Sequence, residues 1–480
     1  MNNTKPASLR TGVVPVMFAL IITSVPASAL SAPTVSLLPD RRKPLELFPF
    51  TEEELVRQTF SLAKTYFDDF RHPETHVLYG ARLATKRHWT SPKEVKAEQP
   101  KPWGYGSRIA DTSLHCGHML VALLEAYEAR PDPFLRENIR KTLAALKLIG
   151  SLPLRYPKPG KPALRGLVPR GPHPDDVTAY YDDSSMDQHT TYIISLARYA
   201  NSSLATDAEK RWIRRSLGDV GRRLEKNGWS IKRADGVTRA HVGFAWTGYN
   251  SQHASILLST LYALYKGTGE QHWHDVFESF LNEKNGLRWK RLHPGPHVRL
   301  NGHPIYANQG SFRLHAFYQF QSDPQRKAVL HDLLKYIAIK QMQRDFPGPM
   351  YRRFHSEQTW KQLRRKWNWT DRDLHGSREA WKAFQTEMLD SDSLAVLAHV
   401  RFPLAGFHMV LLSEHPQMIR NELPQIWKML TTVDLKKVSA GETNYLFTVA
   451  SLHVYTFYFQ QKKQPRKQPV GRPQTDTRAD

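Results

Sequence analysis

The sequence predicts an all-α fold: six helical hairpins closed into an (α/α)6 toroid, with long loops at its mouth. Three observations carry that expectation. Six segments share one plan, a polar or acidic opening followed by an apolar helical run rich in small residues and Tyr. Charge-rich amphipathic segments alternate with them, as solvent-facing helices alternate with buried ones. The pairs recur at unequal spacings of roughly 55 to 80 residues, too long and irregular for a TPR or HEAT array. An irregular all-α bundle is the competing assignment. The ring is preferred because the polar openings stand at the same end of every buried run, so a ring brings them to one mouth.

In chain order, Met1–Ala29 has the form of a secretory signal. Lys5 and Arg10 charge its start, Val13–Val25 is apolar, and Ala27-Ser28-Ala29 offers a small-residue cleavage site. An uncleaved anchor is the alternative; the apolar run is short for a span and contains Pro15, with Pro26 just after it. The body, residues 30–460, is expected to be one catalytic-type domain with no membrane span. Its inner runs begin DTSLHCGHMLVALLEAYEA at Asp111, DDSSMDQHTTYIISLARYA at Asp182 and GYNSQHASILLSTLYALYKG at Gly248. They continue with YANQGSFRLHAFYQF at Tyr306, LDSDSLAVLAHV at Leu389 and ETNYLFTVASLHVYTFYF at Glu442. The amphipathic partners are Asp132–Ile149, Thr206–Lys226, Gln271–Glu283, Asp323–Arg344 and Glu414–Thr431, with Glu52–Phe70 closing the ring against the last inner helix. Long loops rich in Pro, Gly, aromatic and basic residues precede the openings: 72–107, 153–180, 229–247 and 288–305. Loops of this length in a compact domain usually carry function. Met350–Arg378 reads as a lid or outer surface. Gln461–Asp480 is polar, Pro-rich and basic, and is expected to be a disordered tail.

Cys116 is the only cysteine, so no internal disulfide can form and the core must hold the fold alone. The formal charge is +23, or +21 without Lys5 and Arg10. Such an excess points to an acidic partner. No zinc-finger, RRM or basic-zipper pattern supports nucleic acid. With export to the periplasm or beyond, an acidic carbohydrate is the expected partner, and general solubility charge is the plain alternative. No HExxH or CxxC accompanies His115 and His118, so no metal is expected. Nor does GxSxG, Walker A or GxGxxG occur in a strand–helix setting, so no nucleotide cofactor is expected.

The chemistry concentrates at YYDDSSMDQHTTYIISLARYA, Tyr180–Ala200. Asp182, Asp183 and Asp187, with Gln188 and His189 as candidate substrate-binding residues, exceed what an N-cap needs. On one helix, Asp183 and Asp187 would lie a turn apart on one face. Two sheltered carboxylates can be driven to different pKa values, the basis of acid–base catalysis. Asp111 opens the preceding inner run and would meet them across the funnel; its ordinary alternative is a helix cap. Tyr249, Asn250 and His253, after Trp246, would serve substrate binding or proton transfer. Asn308 and His315, with Gln309 and Arg313, read as subsite residues. Arg170, beside Arg165 and His173, would hold a substrate carboxylate as a fork or else pair with the neighbouring Asp residues. Trp103, Tyr105, Trp246 and Tyr249 would stack on sugar rings or simply be buried.

IADTSLHCGHMLVALLEAYEA followed by DDSSMDQHTTYIISLARYA resembles the two acidic inner-helix motifs of six-hairpin α/α-toroid carbohydrate-active enzymes, nearest the unsaturated glucuronyl and rhamnogalacturonyl hydrolases. In that family one Asp on each of two successive inner helices works on the substrate, the second as the main acid/base. The resemblance implies Asp111 and Asp183 in these roles, with Asp187 a rival for the latter. The resulting expectation is a secreted glycoside hydrolase of acidic, uronic-acid-containing oligo- or polysaccharides. A polysaccharide lyase using Arg170 or Asn250 with Tyr249 or His253, and a non-catalytic binder of anionic glycans, are the alternatives.

Overall fold

The computed structural model describes residues 48–84, 89–104, 107–298, 304–342, 401–438 and 441–463. Six inner helices follow one another round a closed ring: α3 (Thr112–Ala129), α5 (Met186–Ala200), α7 (Ser251–Thr268), α9 (Pro304–Phe320), α11 (Phe402–Leu412) and α13 (Gly441–Lys463). Each packs on the next, and α13 returns to α3. Outside them, α1 (Glu52–Phe70) lies on α13, α4 (Pro133–Arg155) on α3, and α6 (Asp207–Lys226) on both α5 and α7. Then α8 (Gln271–Lys290) covers α7, α10 (Pro324–Met342) covers α9 and α11, and α12 (Pro416–Thr432) covers α11. The predicted toroid of six hairpins is therefore present, including its closure by α1.

The pattern that separates the two layers is local. Residues Thr112 to Ala126 of α3 are buried without a break, as are Thr443 to Phe459 of α13. The outer α6 buries one stripe instead, through Ile213, Leu217, Val220 and Leu224, each worth about 1.5–3 kcal/mol when fully removed from water. Outer helices also carry their own start signals. Thr51 with Glu54 and Thr206 with Glu209 form reciprocal capping boxes, and Asp132 caps α4 ahead of Pro133.

Packed against the short helix α2 (Pro92–Lys96), an antiparallel pair, β1 (Pro172–His173) and β2 (Asp176–Tyr180), interrupts the ring. It delivers the chain straight into Tyr181–Ser185 at the start of α5. The outer helix predicted to stop at Glu283 does so: Lys284, Asn285 and Gly286 take left-handed φ values of 48°, 56° and 72°, and a last helical turn follows. The fifth inner run was expected from Leu389, whereas the described fifth inner helix is α11, starting at Phe402; Leu389–Val400 lie outside the described residues. The segments Met1–Ala29 and Met350–Arg378, Tyr105, and the tail beyond Lys463 also lie outside them. Among the described residues no helix is long and apolar enough to cross a membrane.

Candidate functional site

The six inner helices present their N-terminal ends to one mouth, and the first two do not use their acids as caps. Asp111 occupies the N-cap position of α3 and Ser185 that of α5, yet neither side chain accepts a capping hydrogen bond. By contrast Asn250 does cap α7, accepting the His253 N–H at 2.8 Å. Its ordinary structural role as a helix cap is thus realised.

Asp111 is held from behind. Gln188 donates its amide to Asp111 Oδ1 at 2.9 Å while its own carbonyl accepts Leu114 N–H at 3.2 Å. The Arg170 guanidinium lies 3.4 Å from the same Oδ1 through Nη1 and 3.8 Å from Asp183 Oδ1 through Nη2. Two carboxyls sharing one guanidinium are held with these oxygens within about 9.5 Å of each other. Arg170 is itself fully buried. It therefore orders the acids, the second of the two roles expected for it, instead of gripping a substrate carboxylate. Its backbone is pinned where Thr112 Oγ1 donates to Arg170 O, next to Gly171 at φ +119°, where a Cβ would collide with that same hydroxyl.

The three Asp residues of the second opening diverge. Asp182 is sealed: Arg233 donates to it at 2.6 and 3.1 Å, Ala234 N–H at 3.3 Å, and Lys161 stands at 3.4 Å. Asp183 precedes the helix instead of sharing a face with Asp187, because α5 starts at Met186. Its Oδ2 accepts His241 N–H at 3.0 Å, and its side chain is only 3% exposed. Asp187, in the first turn of α5, stays 17% exposed with Arg313 at 3.8 Å, and Asp111 stays 30% exposed. Burial pushes Asp111 up to about 6; Arg170 pulls it down, while Glu442 and Asp187 add to the rise. Burial likewise raises Asp183 against Arg170 and the His241 N–H, and Asp187 against Arg313 and Arg170.

Other openings add to the mouth. Tyr306 stands 51% exposed at the start of α9, near enough to Asp187 and Asp111 for their charges to raise its phenol further after burial. Glu442 pairs with Arg401 at 2.8 Å, and both act on Asp111. The Trp103 ring stacks on His241 at 4.2 Å and 13°. Beside this cluster a cavity of ≈ 670 Å³ is lined by Tyr249, Asn250, Gln252, Arg291, Tyr306 and Arg313, among others, a volume within the range of small-molecule sites. The sequence pattern missed His241 and Arg401; Tyr306 and Glu442 each open a predicted run, and that position was their signal.

Several of the candidate residues have partners within the protein. His189 is fully buried, bonded to Ser184 Oγ and Ser185 O at 3.2 Å, and receives Val168 N–H. Gln188 is likewise buried and positions Asp111 rather than meeting a ligand. Trp246 is fully buried in the core. Asn308 is buried against His408 at 2.8 Å. His315 sits at the opposite end of the ring, 2.8 Å from Glu414 and 3.7 Å from Glu125. His253 stacks on Phe244, and Tyr249 lines the cavity while donating its hydroxyl to Glu283 at 3.1 Å. Among the described residues no three His, Cys, Asp or Glu side chains converge as a metal site.

No protein-family model matches the chain, and no curated protein matches it. Among solved structures the chain is similar to a sugar epimerase from a ruminal bacterium, at 13% identity over 60% of this chain and 70% of that one, with a TM-score of 0.36.

Proposed function

We propose that the chain is an exported carbohydrate-active enzyme that hydrolyses acidic, uronic-acid-containing oligo- or polysaccharides by carboxylate acid/base catalysis. The observation that carries this reading is the pair Asp111 and Asp187: carboxyls from adjacent inner helices, both open at the mouth, both raised by burial. A glycosidic oxygen must be protonated by an acid it can touch, and the substrate must reach the second carboxylate. Access therefore moves the acid/base role from Asp183, which is nearly sealed, to the two Asp residues that are not. Asp111, protonated until about pH 6, gives its proton to the leaving oxygen. Asp187 acts on water or on the sugar from its own side, and Asp183 holds Arg170 in place.

Arg291, on the cavity wall and with no carboxylate partner among the described residues, suits a uronate carboxylate better than the buried Arg170 does. Hydrolysis is favoured over elimination because the expected bases are engaged elsewhere: Tyr249 with Glu283, and His253 against Phe244.

The test is a screen of the purified protein and its Asp111→Asn and Asp187→Asn variants against glucuronan, alginate, pectin and glycosaminoglycans. Reducing ends and the absorbance of new C4–C5 double bonds are read together. New reducing ends without the absorbance, lost in both variants, is the expected result. The absorbance would make the enzyme a lyase. An unimpaired Asp111→Asn variant, or no product from any polymer, would refute the hydrolase.

A further inference from the structure

On the outer side of the ring, the C-terminal end of α4, the loop 163–168 and the outer face of α6 enclose a second cavity of ≈ 430 Å³. Arg155, Arg165 and Arg215 stand on its lining, with Asp219 the one carboxylate there, so the lining carries a net +2. Arg165 is 74% exposed and reaches Asp219 at 3.3 Å. Arg155 and Arg215 make no ion pair among the described residues, and neither do Arg211 and Arg214 beside them on α6, all four being exposed. Outer helices need polar surface, but a solvated face usually intersperses both signs. Here an uncompensated cluster borders a concave wall rather than a convex one.

The groove is also built rather than incidental. Gly166, at φ +73°, presses against α6 so closely that a Cβ would run into Asp219 O, which fixes the rim carrying Arg165. The Trp212 indole supplies an apolar wall, packed on the core below. Two residues further along the loop, Val168 accepts Ser184 Oγ–H at 2.6 Å and donates its N–H to His189. The floor of the groove is thus bonded to the segment that carries Asp183.

We propose that this groove is a second binding site, for a segment of a polyuronate chain. Guanidinium forks pair with carboxylates in bidentate fashion, and an indole wall covers the apolar face of a sugar ring. A polymer with one carboxylate per sugar can engage several separate Arg residues at once, whereas a single small anion engages only one or two. Occupation here holds a long chain on the outside of the ring while one of its ends is worked on at the mouth. The choice of a polyuronate rests on the proposed function; the presence of an anion-binding groove does not.

Binding of polygalacturonate is measured by calorimetry in the Asp111→Asn background, which blocks turnover, with and without Arg155→Ala, Arg165→Ala and Arg215→Ala together. Losing three exposed charge contacts weakens binding by about tenfold, and salt weakens it in the parent but far less in the triple variant. All three side chains are exposed, so folding is preserved, and an unchanged circular dichroism melt verifies that. Equal affinity with and without the three arginines overturns the inference. So does single-stranded DNA binding the groove more tightly than polygalacturonate, which would make nucleic acid its occupant. Groove-dependent binding by a protein that cleaves no uronate polymer supports the groove and counts against the hydrolase alone. Cleavage with groove-independent binding does the reverse.

Discussion

Replacing Asp111 with Asn should make the protein more stable at neutral pH while it removes the acid. The Asp111 carboxyl is held at about 6 against an ordinary 3.8. A group whose folded value is raised keeps its stabilising effect fully below the unfolded value and loses it as pH rises through the folded one. Over a gap of about two pH units, at 1.36 kcal/mol per unit, the wild type gives up about 3 kcal/mol between pH 4 and pH 7. Asn carries no charge to bury, and its oxygen still accepts the Gln188 amide, so the variant does not pass through that loss. Urea-denaturation midpoints at pH 4.5 and 7.5 measure the difference. The variant should exceed wild type by only about 1 kcal/mol at pH 4.5 and by about 3 kcal/mol at pH 7.5, with activity down by about 10²–10⁴. A variant less stable than wild type at pH 7.5, or one displaced equally at both pH values, would show that burial does not strain this carboxyl.

Gln188→Met removes the amide that favours the charged form of Asp111, so the Asp111 titration, followed by carbon NMR of labelled Asp carboxyls, should move upward by about one pH unit. Asp182→Ala leaves Arg233 without one of its two carboxylate partners; it should cost about 3 kcal/mol in denaturation yet leave the pH–rate profile in place, which separates the structural Asp from the catalytic ones. His315, raised mainly by Glu125 and Glu414 against its burial, stabilises fully below about pH 6.5 and loses that effect as pH climbs through its folded value. His315→Gln should therefore flatten the fall in stability between pH 6.5 and 9, as read by thermal melts, and an unchanged slope would remove His315 from that role. Gly171→Ala should lower the melting temperature and displace Arg170, since the new Cβ meets Thr112.

The ring of hairpins was legible in the chain because it rests on short-range periodicity. All-round apolar runs such as Thr112–Ala126 demand burial, single-stripe helices such as α6 demand a wet side, and their alternation leaves a two-layered ring as the compact solution. The polar openings were equally visible: Asp111, Asp187, Tyr306 and Glu442 all stand at the starts of inner runs that meet at one mouth. What the residues do there was not visible. Asp182, Asp183 and Asp187 are chemically alike and neighbours in sequence, yet one is locked by Arg233, one sealed behind Arg170 and His241, and one left open. Arg170 meets Asp111 across 59 positions, and His315 meets Glu125 across the ring, so local pattern could not tell a ligand grip from an internal brace. Spacing decides which face a side chain takes, whereas solvent access and charge partners depend on chain segments far away, and these set protonation. The ring and its acidic mouth follow from local pattern alone, whereas which carboxyl can be reached follows from segments that the fold brings in from far along the chain.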